Sequence, residues 1–384
     1  MSVAVGAPAA GTAPAPGAKL KSFAEGTFEY PTPIQGLGGS LTAAASGGNV
    51  STLTPIPQTG FLGALRHTVS GTLTVGTLST QYQVPLHRLL ANYTLQNSLT
   101  YPYRNLSGDD IWMWANIVAG RGTQDPIYGS LNSEQPNVTG TGAKNFSFSF
   151  LDQIGMNDGV NFSKFLLSAL TNSNTLTINI SWLAASGLAA LSDGTAVFSA
   201  YTASDAVSAI YQMVPDARQY YWPDVSKVQQ VIGDPSFTAT AVGVNSINLT
   251  PVSGPAYMGI GMQIVNSTGA LDTLAPGTSG LTQVRLLVGG TQPIKVWTLP
   301  DIVGKYEDLY GRKPQYGYAY IDLAADLSIP NVMSHLRRKN LATKQYAQLT
   351  WEVTTNSNFS PGAGSRIGLL KRMYQSYSGN AAVA

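Results

Sequence analysis

FSFLDQIGMNDGVNFSKFLLSALTNSNTLTINISW occupies residues 148–182, and YAYIDLAADLSIPNVMSHLRRKNLATKQYAQLTWEV occupies residues 318–353. Laid over each other, the two stretches share one order. Each opens on an alternating aromatic strand ending in an aliphatic residue followed by aspartate: Leu151-Asp152 in one, Ile321-Asp322 in the other. Each passes through a polar turn and a short amphipathic run, read as a helix. Each closes on an alternating strand carrying tryptophan, Trp182 or Trp351. Period-two alternation puts one set of side chains on one face of a pleated strand, so these are half-buried strands. From aspartate to tryptophan is 30 positions in the first copy (182 − 152) and 29 in the second (351 − 322).

Upstream, Arg88-Leu89-Leu90 has a counterpart in Arg285-Leu286-Leu287, and residues 111–114 have one in 296–299. From Arg88 to Asp152 is 64 positions and from Arg285 to Asp322 is 37, so the first copy holds 27 more (64 − 37). The Gly/Asn/Thr-rich segment 130–144 is the natural place for most of them, as a surface loop. A self-match of this length reads as two similar β units in one chain. The 384 residues agree, since they exceed the size at which a single core stops growing.

The rest of the chain is strand-and-turn chemistry. Gly 40 and Pro 22 punctuate runs of Thr, Val, Ile and Tyr. Residues 61–75 hold an alternating stretch with Val69, Gly71, Leu73 and Val75 on one face; Phe146, Phe148 and Phe150 alternate with serine. Residues 175–182, 284–288, 317–323 and 347–353 behave alike, which points to antiparallel sandwiches or barrels. Residues 205–214 differ: Val207, Ile210, Tyr211 and Val214 have helical spacing, Asp205 is placed to cap, and Pro215 stops the run. A second helical phase follows at 224–232 after the aromatic group Tyr220, Tyr221 and Trp222, read as packing between the units. The expected organisation is a flexible arm at 1–21, a first β unit at 22–204, a helical connector at 205–234, a second β unit at 235–376, and a flexible tail at 377–384.

Composition excludes much chemistry. With no cysteine, disulfides, thiolate metal sites and thiol nucleophiles fall away, and His67, His87 and His335 stand far apart. Phosphate-loop, dinucleotide-turn and nucleophile-elbow motifs are missing from the sequence. Asp109-Asp110, after Gly108, reads as a solvated turn; Asp152 and Asp322, in separate units, read as structural hydrogen-bonding groups. The expected inventory is therefore no catalytic residue, no metal, no cofactor and no enzyme activity. Charged residues are 11% with a net charge of +2, against about a quarter in an ordinary soluble domain. So little charge suits a surface covered by neighbours, and it lacks the basic excess of a nucleic-acid binder. The basic group Arg337, Arg338 and Lys339 reads as a helix-terminal cluster.

Two tandem β units, an unstructured arm and this nearly chargeless composition resemble the double jelly-roll major capsid proteins of membrane-containing icosahedral double-stranded DNA viruses, the tectivirus type of phage. The resemblance is carried by the hydrophobic–Asp strand end, the helix and the Trp strand at 151–182 and again at 321–351. It implies an all-β fold of two tandem eight-stranded jelly rolls, with short helices in the connector and before the Trp-bearing strand of each half. It implies a homotrimer forming a pseudo-hexagonal capsomer, an icosahedral shell over an internal membrane, and partners among neighbouring capsomers and other capsid proteins such as a penton. Localisation in the virion, assembly in the host cytoplasm and no sequence-specific nucleic-acid binding follow from the same likeness. Lys19, Lys21, Arg366, Lys371 and Arg372 are the candidate membrane- or interior-facing basic residues. The arm departs from the family by being Pro/Gly/Ala-rich where a basic amphipathic helix is expected. The rival readings are a secreted carbohydrate-binding or glycosidase-like β-sandwich, and another viral structural protein such as a spike or penton.

Overall fold

The computed structural model describes residues 27–29, 41–53, 56, 61–80, 82–97, 102–119, 137–154, 167–168, 176–191, 196–212, 227–234, 241–249, 256–267, 271–310, 314, 317–323, 341–342, 349–362 and 365–376. In chain order, the first half contains β1 (Thr27–Glu29), β2 (Val50–Leu53), β3 (Phe61–Leu78), β4 (Tyr82–Gln83), β5 (Leu90–Asn97) and β6 (Pro102–Leu106). Then come α1 (Gly108–Ala119), β7 (Asn137–Val138), β8 (Gly142–Gln153), β9 (Leu167–Ser168), β10 (Leu176–Trp182) and β11 (Ala196–Gln212). The second half opens with β12 (Lys227–Asp234), β13 (Gly243–Asn248), β14 (Ala256–Val265), β15 (Leu281–Val288) and β16 (Gln292–Thr298). It ends with α2 (Leu299–Tyr310), β17 (Tyr318–Ile321), β18 (Leu341–Ala342), β19 (Leu349–Thr355) and β20 (Arg366–Ser376).

Leaving aside the two-residue strands, the described residues of each half form eight strands in two sheets. The first, eighth, third and sixth form one: β1-β11-β3-β8, then β12-β20-β14-β17. The second, seventh, fourth and fifth form the other: β2-β10-β5-β6, then β13-β19-β15-β16. This is the jelly-roll order, made twice. Even a small addition recurs, since β9 pairs β3 and β18 pairs β14, each lying between the sixth and seventh strands of its half.

Alternation explains the strands. Leu176, Ile178, Ile180 and Trp182 of β10 are buried while the residues between them are part-exposed. Phe146, Phe148 and Phe150 of β8 do the same. Trp297 and Trp351 meet in the core of the second half, ring centroids 5.7 Å apart. The core of the first half continues without a break into Tyr306, Tyr318, Tyr320 and Leu370 of the second. The halves also share a sheet. β12 lies parallel to β6, Val231 opposite Arg104 and Ile232 opposite Asn105, which fuses two four-stranded sheets edge to edge.

Four sequence expectations need correction. Residues 205–212 are the end of β11, with Asp205, Val207 and Ala209 buried at period two. Asp205 caps no helix; its carboxylate points into the core and meets His67 Nδ1 at 2.6 Å. The helical phase at 224–232 is replaced from residue 227 by β12, held by β20 on one side and β6 on the other. Asp109-Asp110 is no solvated turn: both residues are buried in the first turn of α1. Finally, residues 111–114 belong to α1, whereas 296–299 end β16 and begin α2, so that pairing was out of register. The extra length of the first half falls mainly between α1 and β8, at 120–141 against 311–317 in the second. Of the stretches expected as helices before the Trp strands, the described residues include Leu323, which is helical, and the short strands β9 and β18; the rest lie outside them. Tyr220, Tyr221, Trp222 and Arg337–Lys339 also lie outside them.

Gly71, at the centre of β3, has no room for a side chain: a Cβ there would sit 1.9 Å from the carbonyl oxygen of Thr202 in β11. At Gly76 in the same strand the nearest atom would be 3.5 Å away, an ordinary contact. Gly71→Ala is therefore expected to cost about 1–3 kcal/mol in a urea melt, while Gly76→Ala stays within about 0.5 kcal/mol of wild type. Equal effects from the two would refute the tight β3–β11 packing.

Candidate functional site

The densest polar chemistry in the described residues lies where the two halves meet, around α1. Ser107 and Asp110 start this helix with a reciprocal cap. The Ser107 hydroxyl and backbone N–H donate to Asp110 Oδ2 at 2.7 and 3.0 Å, and the Asp110 N–H returns a bond to Ser107 Oγ at 3.3 Å. Thr298 and Asp301 make the same box at the start of α2. Seated this way, α1 presses one face onto the second half. A Cβ at Gly233 of β12 would fall 2.0 Å from Asp110 Oδ2, and one at Gly261 of β14 would fall 2.3 Å from Met113 Sδ. Only glycine allows the helix so close.

Two buried carboxylates organise the junction. Asp109 Oδ1 lies 3.0 Å from His87 Nε2 and accepts from Arg88 Nε at 2.9 Å and from the Tyr318 hydroxyl at 3.0 Å. Its Oδ2 accepts from Arg366 Nη2 at 3.1 Å. His87 and Arg88 come from the turn before β5, Tyr318 from β17 and Arg366 from β20, so one carboxylate ties both halves. Burial opposes its ionisation, but the hydrogen bond from His87 and the charge of Arg88 outweigh this and hold the carboxyl well below the usual range. Burial, then the charge of Asp109, pushes the Tyr318 hydroxyl far above its ordinary value.

The second carboxylate, Asp152, accepts from Arg104 Nε at 2.7 Å, Trp114 Nε1 at 3.1 Å and the Tyr93 hydroxyl at 2.8 Å. Arg104 has no exposed surface; its other donors reach the carbonyls of Tyr103, Gln153 and, across the junction, Gln229 of β12. Two guanidinium groups lie over the Trp114 ring. Arg104 and Arg372 of β20 each stand 5.4 Å from its ring centroid. Arg372 also donates to Gln229 Oε1 at 3.1 and 3.2 Å.

The expected basic residues fare differently. Lys19 and Lys21 lie outside the described residues. Arg372 is buried in the junction, and Lys371 is mostly buried and bonded to Asp234 at 2.7 Å. Arg366 keeps part of its surface exposed while holding Asp109. Asp152 and Asp322 are both buried at the ends of β8 and β17, and Asp152 does act as a structural hydrogen-bonding group. Among the described residues, no group of three or more His, Cys, Asp or Glu side chains is placed to hold a metal ion. The sequence reading missed His87, Arg88, Arg104, Asp109 and Trp114 as a unit. A signal existed: Pro102-Tyr-Arg104-Asn-Leu-Ser107-Gly-Asp-Asp110 matches Pro293-Ile-Lys295-Val-Trp-Thr298-Leu-Pro-Asp301 in proline, base, hydroxyl and carboxylate at equal spacing.

No family model matches the chain. No curated protein matches it by sequence. Among solved structures, the major capsid protein (MCP) of STIV superposes with a TM-score of 0.62 at 14% identity, covering 93% of this chain and 99% of that one. A second structure, of Sulfolobus Turreted Icosahedral Virus, gives 0.60 at 14% identity, covering 93% of each chain. PBCV-1 VP54, fitted into a reconstruction of the virophage Sputnik, gives 0.59 at 15% identity, covering 89% of this chain and 94% of its own. The fold is the double jelly roll. Identities this low carry the shared double jelly roll and not a shared role.

The two capping boxes sit in different surroundings, and their acids shift in opposite directions. Burial raises Asp110 to about 6 from 3.8, whereas the exposed Asp301 is lowered by its hydrogen bonds from Thr298. An acid raised in the folded chain keeps a proton that the unfolded chain releases, so its stabilisation is present below about pH 3.8 and lost as pH climbs through about 6. Wild type is thus expected to lose stability relative to Asp110→Asn between about pH 4 and about pH 7 in matched urea melts. A difference that stays flat with pH would show that Asp110 ionises normally.

Proposed function

We propose that this chain is the major capsid protein of an icosahedral virus, assembling as homotrimeric, pseudo-hexagonal capsomers into a shell over an internal membrane. The observation that carries the reading is the welding of two complete jelly rolls into one body by the β6–β12 pair and the α1 junction. Such a body is a building block with two equivalent units in fixed register. Structures described as a viral MCP and as a virus capsid share this fold over about nine-tenths of the chain. The composition supports it too: 11% charged residues suit a subunit whose surface is covered by others, because each unpaired buried ion costs several kcal/mol. Obligate interfaces of about 2,000 Å² or more are usual for such subunits.

In this reading the role is structural, with no reaction and no cofactor. The partners are further copies, neighbouring capsomers, a penton protein and lipid, and the site of action is the virion, assembled in the host cytoplasm. Lys19 and Lys21 of the arm at 1–21, with Arg366, Lys371 and Arg372, are the basic residues assigned to the membrane or interior side of the shell. The boundary between the two jelly rolls falls between Gln212 and Lys227, the ends of β11 and β12.

Native mass spectrometry of the purified protein is expected to give three copies of the 40.5 kDa chain. A single-chain mass across the micromolar range would contradict the shell reading and favour a monomeric sugar-binding sandwich.

A further inference from the structure

Two carboxylates stand side by side in the first turn of α1, and they are held in unlike ways. Asp109 is met on both oxygens, by His87 and Arg88 from the turn before β5, by Tyr318 of β17 and by Arg366 of β20. Asp110 is met on one. Ser107 donates twice to its Oδ2, and among the described residues no donor reaches its Oδ1. What closes over this carboxylate is the backbone of the other half. The three atoms nearest to a Cβ built on Gly233 of β12 are Asp110 Oδ2, Cγ and Oδ1, at 2.0, 2.7 and 3.3 Å.

This contact sits at one end of the strand pair that joins the halves. β6 and β12 pair at Arg104 with Val231 and at Asn105 with Ile232, and Ser107 and Gly233 follow just beyond. Toward the other end, Arg104 donates to the Gln229 carbonyl at 3.0 Å and Gln230 Nε2 to the Pro102 carbonyl at 2.7 Å, bonds whose charge does not change near neutral pH. The charged and titratable groups around Asp110 are Asp109 on its own helix, His87, Arg88, Tyr318 and Arg366. β14 offers Gln263, bonded to Arg366, and Asp234 of β12 is bonded to Lys371. Arg104, Asp152 and Arg372 lie a turn further along, about Trp114. Burial, opposed by the Ser107 hydrogen bonds, raises Asp110 to about 6. Thr298 and Asp301 make the same box on α2 at an exposed position, and there the acid is lowered. The box thus responds to its cover. Linkage is reciprocal: a cover that disfavours the charge is disfavoured by it to the same extent.

We propose that the seat of α1 on β12 is a pH-operated latch, shut while Asp110 is protonated and released when that proton leaves to solvent. Release lifts the first turn of α1 from Gly233, admits water to the carboxylate and frays the near end of the β6–β12 pair. Arg104, Asp152 and the shared core keep the halves in one body. The direction follows from the raised acid. The shut form binds the proton more tightly than the open one, so the latch holds at acid pH and yields as pH climbs through about 6. The device belongs to the single chain and stands or falls apart from the shell reading.

Hydrogen exchange on the intact wild-type chain, compared at about pH 5 and about pH 8 and corrected for the intrinsic pH dependence of amide exchange, reads the latch directly. For a carboxyl near 6 when shut and 3.8 when open, opening at residues 105–114 and 230–234 is expected to rise about tenfold between the two, while β10 and β19 stay level. Asp110→Asn, which keeps the acceptor of the cap and cannot ionise, is expected to abolish the rise. Asp301→Asn is expected to leave it intact. Exchange that stays flat in wild type, a rise shared equally by β10 and β19, or a rise that survives in Asp110→Asn overturns the latch. The wild-type comparison decides the matter even if a variant folds poorly.

Discussion

Carboxylates and guanidinium groups removed from water need hydrogen-bond partners inside the protein, and that requirement governs the junction of the two halves. Arg104 and Asp152 are buried together, and Asp109 is buried among His87, Arg88, Tyr318 and Arg366. Taking away one partner of such a set costs about 3–5 kcal/mol, because the charge left behind stays desolvated. Several partners sit on opposite halves of the chain. Separating the jelly rolls would strand Asp109 from Tyr318 and Arg366, and would strip Trp114 of Arg372. The charges thus fix the orientation of one half against the other.

The same economy explains an odd composition. A chain with 20 acidic and 22 basic residues places a cluster of them where they meet each other across the junction and not water. Outer strand faces are left to serine, threonine and small apolar residues, as in β8, where Asn145, Ser147 and Ser149 alternate with buried phenylalanines. Such faces cost little to bury against a neighbour, since they hold no ion to desolvate. Helix α1 adds close fit to charge: its tight approach at Gly233 and Gly261 leaves no slack between the units.

Legibility in the sequence followed the range of the interactions. Strands with large side chains at period two, such as β8, β10 and β19, were readable because pleat and burial are local facts. The internal repeat was readable for the same reason. β11 was misread because its inward residues are small (Ala203, Asp205, Ala209), so Val207, Ile210 and Tyr211 imitated a helical stripe. Gly108-Asp109-Asp110 resembled a turn, although Ser107 three positions before Asp110 was a cap. The basic residues near the carboxyl end were assigned to the surface because nothing local discloses their partners. Arg366 bonds Asp109 from 257 positions away, and Arg372 reaches Gln229 from 143.

The central claim is that the two jelly rolls are one body and not two beads on a linker. Hydrogen exchange followed by mass spectrometry across a denaturant series tests it by comparing β10 (Leu176–Trp182) with β19 (Leu349–Thr355), the Trp strands at the two cores. A welded body predicts that both lose protection at the same denaturant concentration. Full exchange of one strand while the other remains protected would show two independent units and contradict the account.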